Sequence, residues 1–92
     1  MAKIIQKACA GTLESSDVYV EVEPCVHGID FTLDSAVIEQ FGESIRNAVF
    51  DTLEKKNITD IKIKLVDRGA LDCVIRARVE TAVNRGSEKQ NA

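Results

Sequence analysis

Two adjacent hydroxyls stand between acidic neighbours in the stretch Gly11-Thr12-Leu13-Glu14-Ser15-Ser16-Asp17. Small and polar residues bury little surface, and the leading glycine permits turn conformations that a docking enzyme can approach closely. The run therefore presents a serine hydroxyl to another protein, although an ordinary solvated turn or helix cap has the same composition. Other groups with chemical potential are scattered. His27 is the only histidine and lies in a turn with no second ligand in view. Cys9 precedes the serine run but has no histidine at telling spacing, so packing is its simpler reading. Arg76 and Arg78 suit the grip of a carboxylate or phosphate, and pairing with acidic neighbours explains them equally well. No set of these groups makes an autonomous active site.

The chain has 92 residues without an internal composition break, which predicts a single domain over 1–92 that buries somewhat over ~60% of its unfolded surface. Within it, 1–16 form an N-terminal segment ending in the serine loop, and 86–92 read as a flexible polar tail. Only 4% of residues are aromatic, so the core is expected to be built from Val, Ile, Leu and Ala. A formal net charge of -3 argues against a nucleic-acid partner, whose phosphates require a basic surface. Met1-Ala2-Lys3-Ile4-Ile5 opens no apolar run long enough for a signal peptide, and no stretch approaches the ~18 apolar residues of a membrane span. The expectation is a cytoplasmic protein with no membrane partner. Cys9, Cys25 and Cys73 include no C-x-x-C pair, which indicates reduced thiols, at least one buried, and no metal site.

The elements that must position the loop follow from periodicity. Residues 1–10 carry apolar side chains without a clear period and suit a frame for the serine loop or a loose edge. Val18, Val20 and Val22 alternate with Tyr19, Glu21 and Glu23 in a half-buried strand ended by Pro24. Cys25–Gly28 read as a hairpin turn into a second strand with Ile29, Phe31 and Leu33 on one face. Ser35 is a good N-cap for a long helix whose stripe runs through Val37, Ile38, Phe41, Ile45, Ala48, Val49 and Leu53. Gly42 inside it suggests a close approach, and Asn57 is an acceptable left-handed terminator. Ile61, Ile63 and Leu65 form a third strand, and Asp67-Arg68-Gly69 supply a turn. Leu71, Cys73, Ile75, Ala77 and Val79 alternate as a fourth strand, after which Thr81–Arg85 suit a short helix. The expected fold is α+β, a two-layer sandwich of order ββαββ with a small antiparallel-rich sheet and one long helix on its apolar face. Its other face is expected to set Glu21, Glu23, Asp30 and Asp34 against Lys62, Lys64, Arg76 and Arg78.

Three blocks in the right order, Gly11–Val18, Phe41-Gly42-Glu43-Ser44-Ile45-Arg46 and Gly69–Arg78, resemble the citrate lyase acyl carrier protein family, the gamma subunit of that complex. The resemblance spans Ile5 to about Val83. It implies a non-catalytic carrier whose Ser15 bears a phosphoribosyl dephospho-coenzyme A (dephospho-CoA) group through a phosphodiester. Ser16 falls where relatives can have Gly. The resemblance also implies partners: an alpha subunit that exchanges acetyl for citryl on the arm, a beta subunit that cleaves citryl to oxaloacetate, a transferase that attaches the group, and a ligase that acetylates its thiol. Beside such a phosphodiester, Glu14 and Asp17 would repel it and keep the arm extended, though Asp17 is more simply a turn cap. Asp34-Ser35-Ala36 is similar to the Asp-Ser-Leu attachment motif of helical acyl carrier proteins, but the Leu is missing and the N-cap role explains Ser35. The alternative from another class is a protein-interaction module without a prosthetic group, acting through its charged sheet face.

Overall fold

The computed structural model describes residues 3–87. In chain order the elements are β1 (Ala8–Gly11), β2 (Val18–Glu23), β3 (Ile29–Ser35), α1 (Ile38–Lys55), β4 (Ile61–Asp67) and α2 (Asp72–Ser87). The sheet order is β1-β2-β4-β3, with β1–β2 and β2–β4 antiparallel and β3–β4 parallel. Both helices cover one face, so the α+β two-layer class holds. The core between the layers joins Val18, Val20, Val22, Ile61, Ile63 and Leu65 to the buried sides of the helices.

β2 and β3 do not form the expected hairpin, because β4 lies between them. The physical reason is on the open face of the sheet. Lys62 faces Glu23 on one side and Asp30 on the other, and Lys64 faces Glu21. Direct pairing of the acidic β2 and β3 would have set carboxylate against carboxylate, which is destabilising. The expected meeting of acidic and basic strands is therefore present only for Lys62 and Lys64, in the middle; Asp34 faces Val66, and Arg76 and Arg78 lie on a helix instead of a strand.

The segment 71–79 is the start of a helix and not a fourth strand. Its buried residues are Ile75, Val79, Ala82, Val83 and Gly86, a 3.6-residue period, whereas Cys73 and Ala77 are exposed. Asp72 in the first turn and Arg85 in the last suit the helix dipole, and Asp72 pairs with Arg76 one turn on. The order is thus βββαβα, with two long helices instead of one long and one short. Gly86 and Ser87, assigned above to the tail, close α2, and 88–92 lie outside the described residues. Gly86 is buried because a Cβ there would stand 3.0 Å from the Val22 side chain. Its carbonyl accepts from both Ile5 and Gln6 N–H groups. That brings the N-terminal segment under α2 and lets Ala8–Gly11 join the sheet as an edge.

α1 begins at Ile38, with Val37 at the N-cap position and no side-chain cap. Ser35 is the last residue of β3. Its hydroxyl donates to Asp67 Oδ2 (2.9 Å) and accepts from Val37 N–H (3.1 Å). The helix ends as expected at Asn57, whose φ of 58° is left-handed. Asn57 N–H donates to the Glu54 carbonyl and Ile58 N–H to that of Leu53, the paired bonds of a Schellman motif. Gly42 makes no close approach to the sheet, since a Cβ there would meet only Ile38 of its own helix.

Asp67 ends β4 as a buried carboxylate. Besides Ser35 it accepts from Gly69 N–H (3.2 Å) and Ala70 N–H (3.0 Å), which fixes the turn after β4. Replacing it leaves two half-buried donors, Ser35 and Ala70, and the exposed Gly69 N–H without this acceptor. Asp67→Ala is expected to lower the free energy of unfolding by about 2 kcal/mol, measured by urea denaturation; a loss within experimental error would show that water replaces the carboxylate.

Candidate functional site

The serine loop is the six-residue connection Thr12–Asp17 between β1 and β2. Its entry depends on Gly11, whose φ is 91° and whose backbone lies so close to the facing strand that a Cβ would sit 1.8 Å from the Val18 carbonyl oxygen. No other residue fits there without moving the hairpin. The tip is a turn in which Asp17 N–H donates to the Glu14 carbonyl (3.2 Å) and Ser16 takes a φ of 66°. That pattern belongs to a type II turn, which favours Gly or Asn at this position. Ser15 and Ser16 occupy the corner, and Leu13, Glu14, Ser15 and Ser16 are all exposed.

The tip is exposed but not loose. Ser16 N–H donates to the Arg68 carbonyl (2.8 Å) and Arg68 N–H donates to the Asp17 carbonyl (2.9 Å), which ties both sides of the serine pair to the turn after β4. Asp17 does more than cap a turn. Its carboxylate accepts from Thr12 Oγ1 (2.7 Å), Val18 N–H (2.7 Å), Arg78 Nε (3.2 Å) and Arg78 Nη2 (3.0 Å). These donors, Thr12 first and then Val18 and Arg78, hold its pKa down from 3.8 to about 2, against a smaller opposing effect of burial. Arg78 comes from α2, so a fork of two N–H groups locks the loop to the helix layer. Thr12 Oγ1 also accepts from Glu14 N–H (3.2 Å).

The remaining candidates separate cleanly. Arg76 and Arg78 do not share a strand face. Arg76 bridges the helices through Asp51 on α1 and Asp72 on α2, and it is the first cause of the lowered Asp51 pKa. Arg78 serves the serine loop. Ser35 is occupied by Asp67 and Val37. His27 is exposed in the β2–β3 connection, and no cluster of metal-ligating groups occurs among the described residues. All three cysteines are free, and none is buried, contrary to expectation: Cys9 and Cys73 are exposed and Cys25 is half-buried. Cys9 lies on the open sheet face against Tyr19, whose phenol is pushed up to about 12 by hydrogen bonding with Cys9, then by burial and by the charges of Cys9 and Glu21. Sequence patterning missed two partners of the serine loop, Arg68 and the Asp17–Arg78 clamp. A helical reading of 72–86 was the available signal for Arg78; Arg68 acts through its backbone, which leaves no mark in sequence.

The clamp makes a pH-dependent contribution of known sign. A carboxylate depressed in the folded state stabilises fully above its unfolded pKa and loses that effect as pH falls through the folded one. The thermal midpoint of Asp17→Asn is expected to lie below that of the parent above about pH 4 and to converge on it as pH falls toward about 2. A constant difference across that range would show that the charge of Asp17 contributes nothing.

Comparison with known proteins agrees with this architecture. The family model described as ACP: Malonate decarboxylase delta subunit (MdcD) matches residues 5–86. The chain is 51% identical over 90 residues to the citrate lyase acyl carrier protein of Vibrio cholerae serotype O1 (strain M66-2), covering 97% of this chain and 92% of that one. It is 45% identical over 89 residues to the citrate lyase acyl carrier protein of Rhodopseudomonas palustris (strain BisA53), with the same coverage of 97% and 92%. A chain in the crystal structure of a Pseudomonas malonate decarboxylase hetero-tetramer in complex with malonate shares the fold, with a TM-score of 0.72 at 24% identity over 91% of this chain and 87% of that one. On the strength of these matches, which reach from the strand that frames the serine loop to the helix that clamps it, the chain belongs to the citrate lyase acyl carrier protein family.

Proposed function

We propose that this chain is the acyl carrier subunit of a citrate lyase complex and that Ser15 is where its prosthetic group, phosphoribosyl dephospho-coenzyme A, is attached. The observation that carries the reading is the turn Glu14–Asp17: an exposed hydroxyl at the corner of a tip bonded on both sides to Arg68. These residues fit the group. Ser15 reaches solvent with no competing hydrogen bond to another side chain among the described residues, whereas Ser35 is consumed by the fold. Attachment forms one bond from Ser15 Oγ to the phosphorus of an activated phosphoryl donor, whose leaving group departs. The hydroxyl proton passes to a base of the attaching enzyme, since the Asp17 carboxylate already accepts from Thr12, Val18 and Arg78. When bound, the group supplies a thiol for acetyl and citryl cargo.

The chain's own contribution is presentation. No side chain reaches into the active sites of separate alpha and beta subunits, so a tether from an exposed, fixed point keeps the cargo at roughly millimolar effective concentration for both. A non-catalytic role fits the scatter of His27, Cys9 and Arg76 away from the serine loop or its tip, and the engagement of Arg78 with Asp17. The free thiols of Cys9, Cys25 and Cys73 suit a reducing compartment, the cytoplasm. An attaching transferase and a ligase that acetylates the thiol complete the set of partners.

Intact mass of the chain made together with the attaching transferase tests the assignment. A gain equal to the group is expected for the parent, Ser16→Ala and Ser35→Ala, and none for Ser15→Ala. Persistence of the adduct in Ser15→Ala would move the site elsewhere, and absence of any adduct would favour a plain interaction module.

A further inference from the structure

The sequence stripe of α1 is longer than the part of α1 that is buried. Burial begins at Ile45, and one and two turns earlier Phe41 and Ile38 stand 51% and 49% exposed. At the start of α2, Leu71 is 71% exposed. Residues from both ends wall a groove of about 460 Å³, among them Val37, Phe41, Ile45, Ala70, Leu71 and Ile75. Its size falls in the range of small-molecule sites, roughly 300–1,000 Å³.

The groove adjoins the serine loop. Asp67 and Gly69 both line it, and Arg68 between them is the residue whose backbone holds Ser16 and Asp17. The polar groups at the groove are already engaged: Asp67 by Ser35, Gly69 and Ala70, and Asp72 by Arg76. What remains available is apolar surface with carboxylates behind it, a setting that accepts a flat uncharged ring and repels phosphates. Arg68 has the opposite character. Its side chain is exposed and enters no ion pair among the described residues, and its backbone is bonded to Ser16 and Asp17, next to Ser15 in the chain.

Resting on the attachment at Ser15 proposed above, we infer that this groove receives the adenine of the attached group, stacked on Phe41 and Leu71, while Arg68 takes the phosphodiester. A tether from the adjacent loop raises the local concentration enough for a shallow apolar site to fill, and a base stacks favourably on an aromatic ring. The nucleotide half of the arm then rests on this chain, and the pantetheine half alone ranges outward.

Proton–nitrogen correlation spectra of the apo chain and of chain loaded by the transferase, with loading verified by intact mass, test the inference. Loading is expected to shift the amides of Phe41, Ala70, Leu71 and Ile75 in addition to those of residues 12–17. Phe41→Ala and Leu71→Ala, both at exposed positions, are expected to gain the same mass while the shifts at the remaining groove amides fall by at least half. Fully loaded parent protein with changes confined to residues 12–17 would overturn the inference and leave the attachment intact. Groove shifts that appear only on addition of a partner subunit would also overturn it and assign the groove to a protein. No mass gain, or a gain that survives Ser15→Ala, would overturn the attachment itself and this inference with it.

Discussion

The placement of β4 between β2 and β3 is the constraint on which the other features depend. Two lysines on its open face separate carboxylates on both neighbours, and three apolar residues on its inner face reach the centre of the core. Because β4 is central, the turn that follows it lies between the end of β3 and the connection from β1 to β2. The residues of that turn then serve both sides. Asp67 gathers Ser35 and the backbone of Gly69 and Ala70, and Arg68 gathers the backbone of the serine loop. An edge position for β4 would have left one of these without a partner.

The helix layer completes the arrangement through charge. α1 and α2 are joined by Arg76 between Asp51 and Asp72, and α2 is joined to the loop by Arg78 on Asp17. Such contacts are weak when fully exposed, but the Asp17 side chain is only 15% exposed and is also bonded to Thr12 and Val18. A carboxylate with that many donors remains ionised and stays in place. Arg46 plays a separate part at the other side of α1, stacked over Phe50 at 4.5 Å.

Much of this was legible in the sequence, and the failures have physical causes. β2, β3 and β4 announced themselves by alternation, and α1 by its stripe and its Asn57 terminator. The segment from Leu71 to Val79 satisfies two periods at once, since every second residue and every fourth are apolar. Only by extending the window to Ala82, Val83 and Gly86 does the helical period win. β1 has four residues, too few to show a pattern, and it exists because Gly86 and Gln6 hold the preceding segment against α2. Pairing partners are non-local and invisible to periodicity, although the charges of Lys62 and Lys64 carried a usable hint. At the site, the exposure of Ser15 followed from composition, while the clamp joins residues 61 positions apart and depends on α2 being a helix.

The tip of the serine loop is exposed at its side chains and pinned at its backbone, and this combination has a mechanical consequence. Any cargo hung from the corner pulls on the Ser16 and Asp17 peptide groups, which pass the load through Arg68 into the central strand of the sheet. The pivot therefore stays still while the free end of whatever hangs from it swings. Orientation of the whole subunit, more than slack in its own chain, then sets the arc that the far end can sweep.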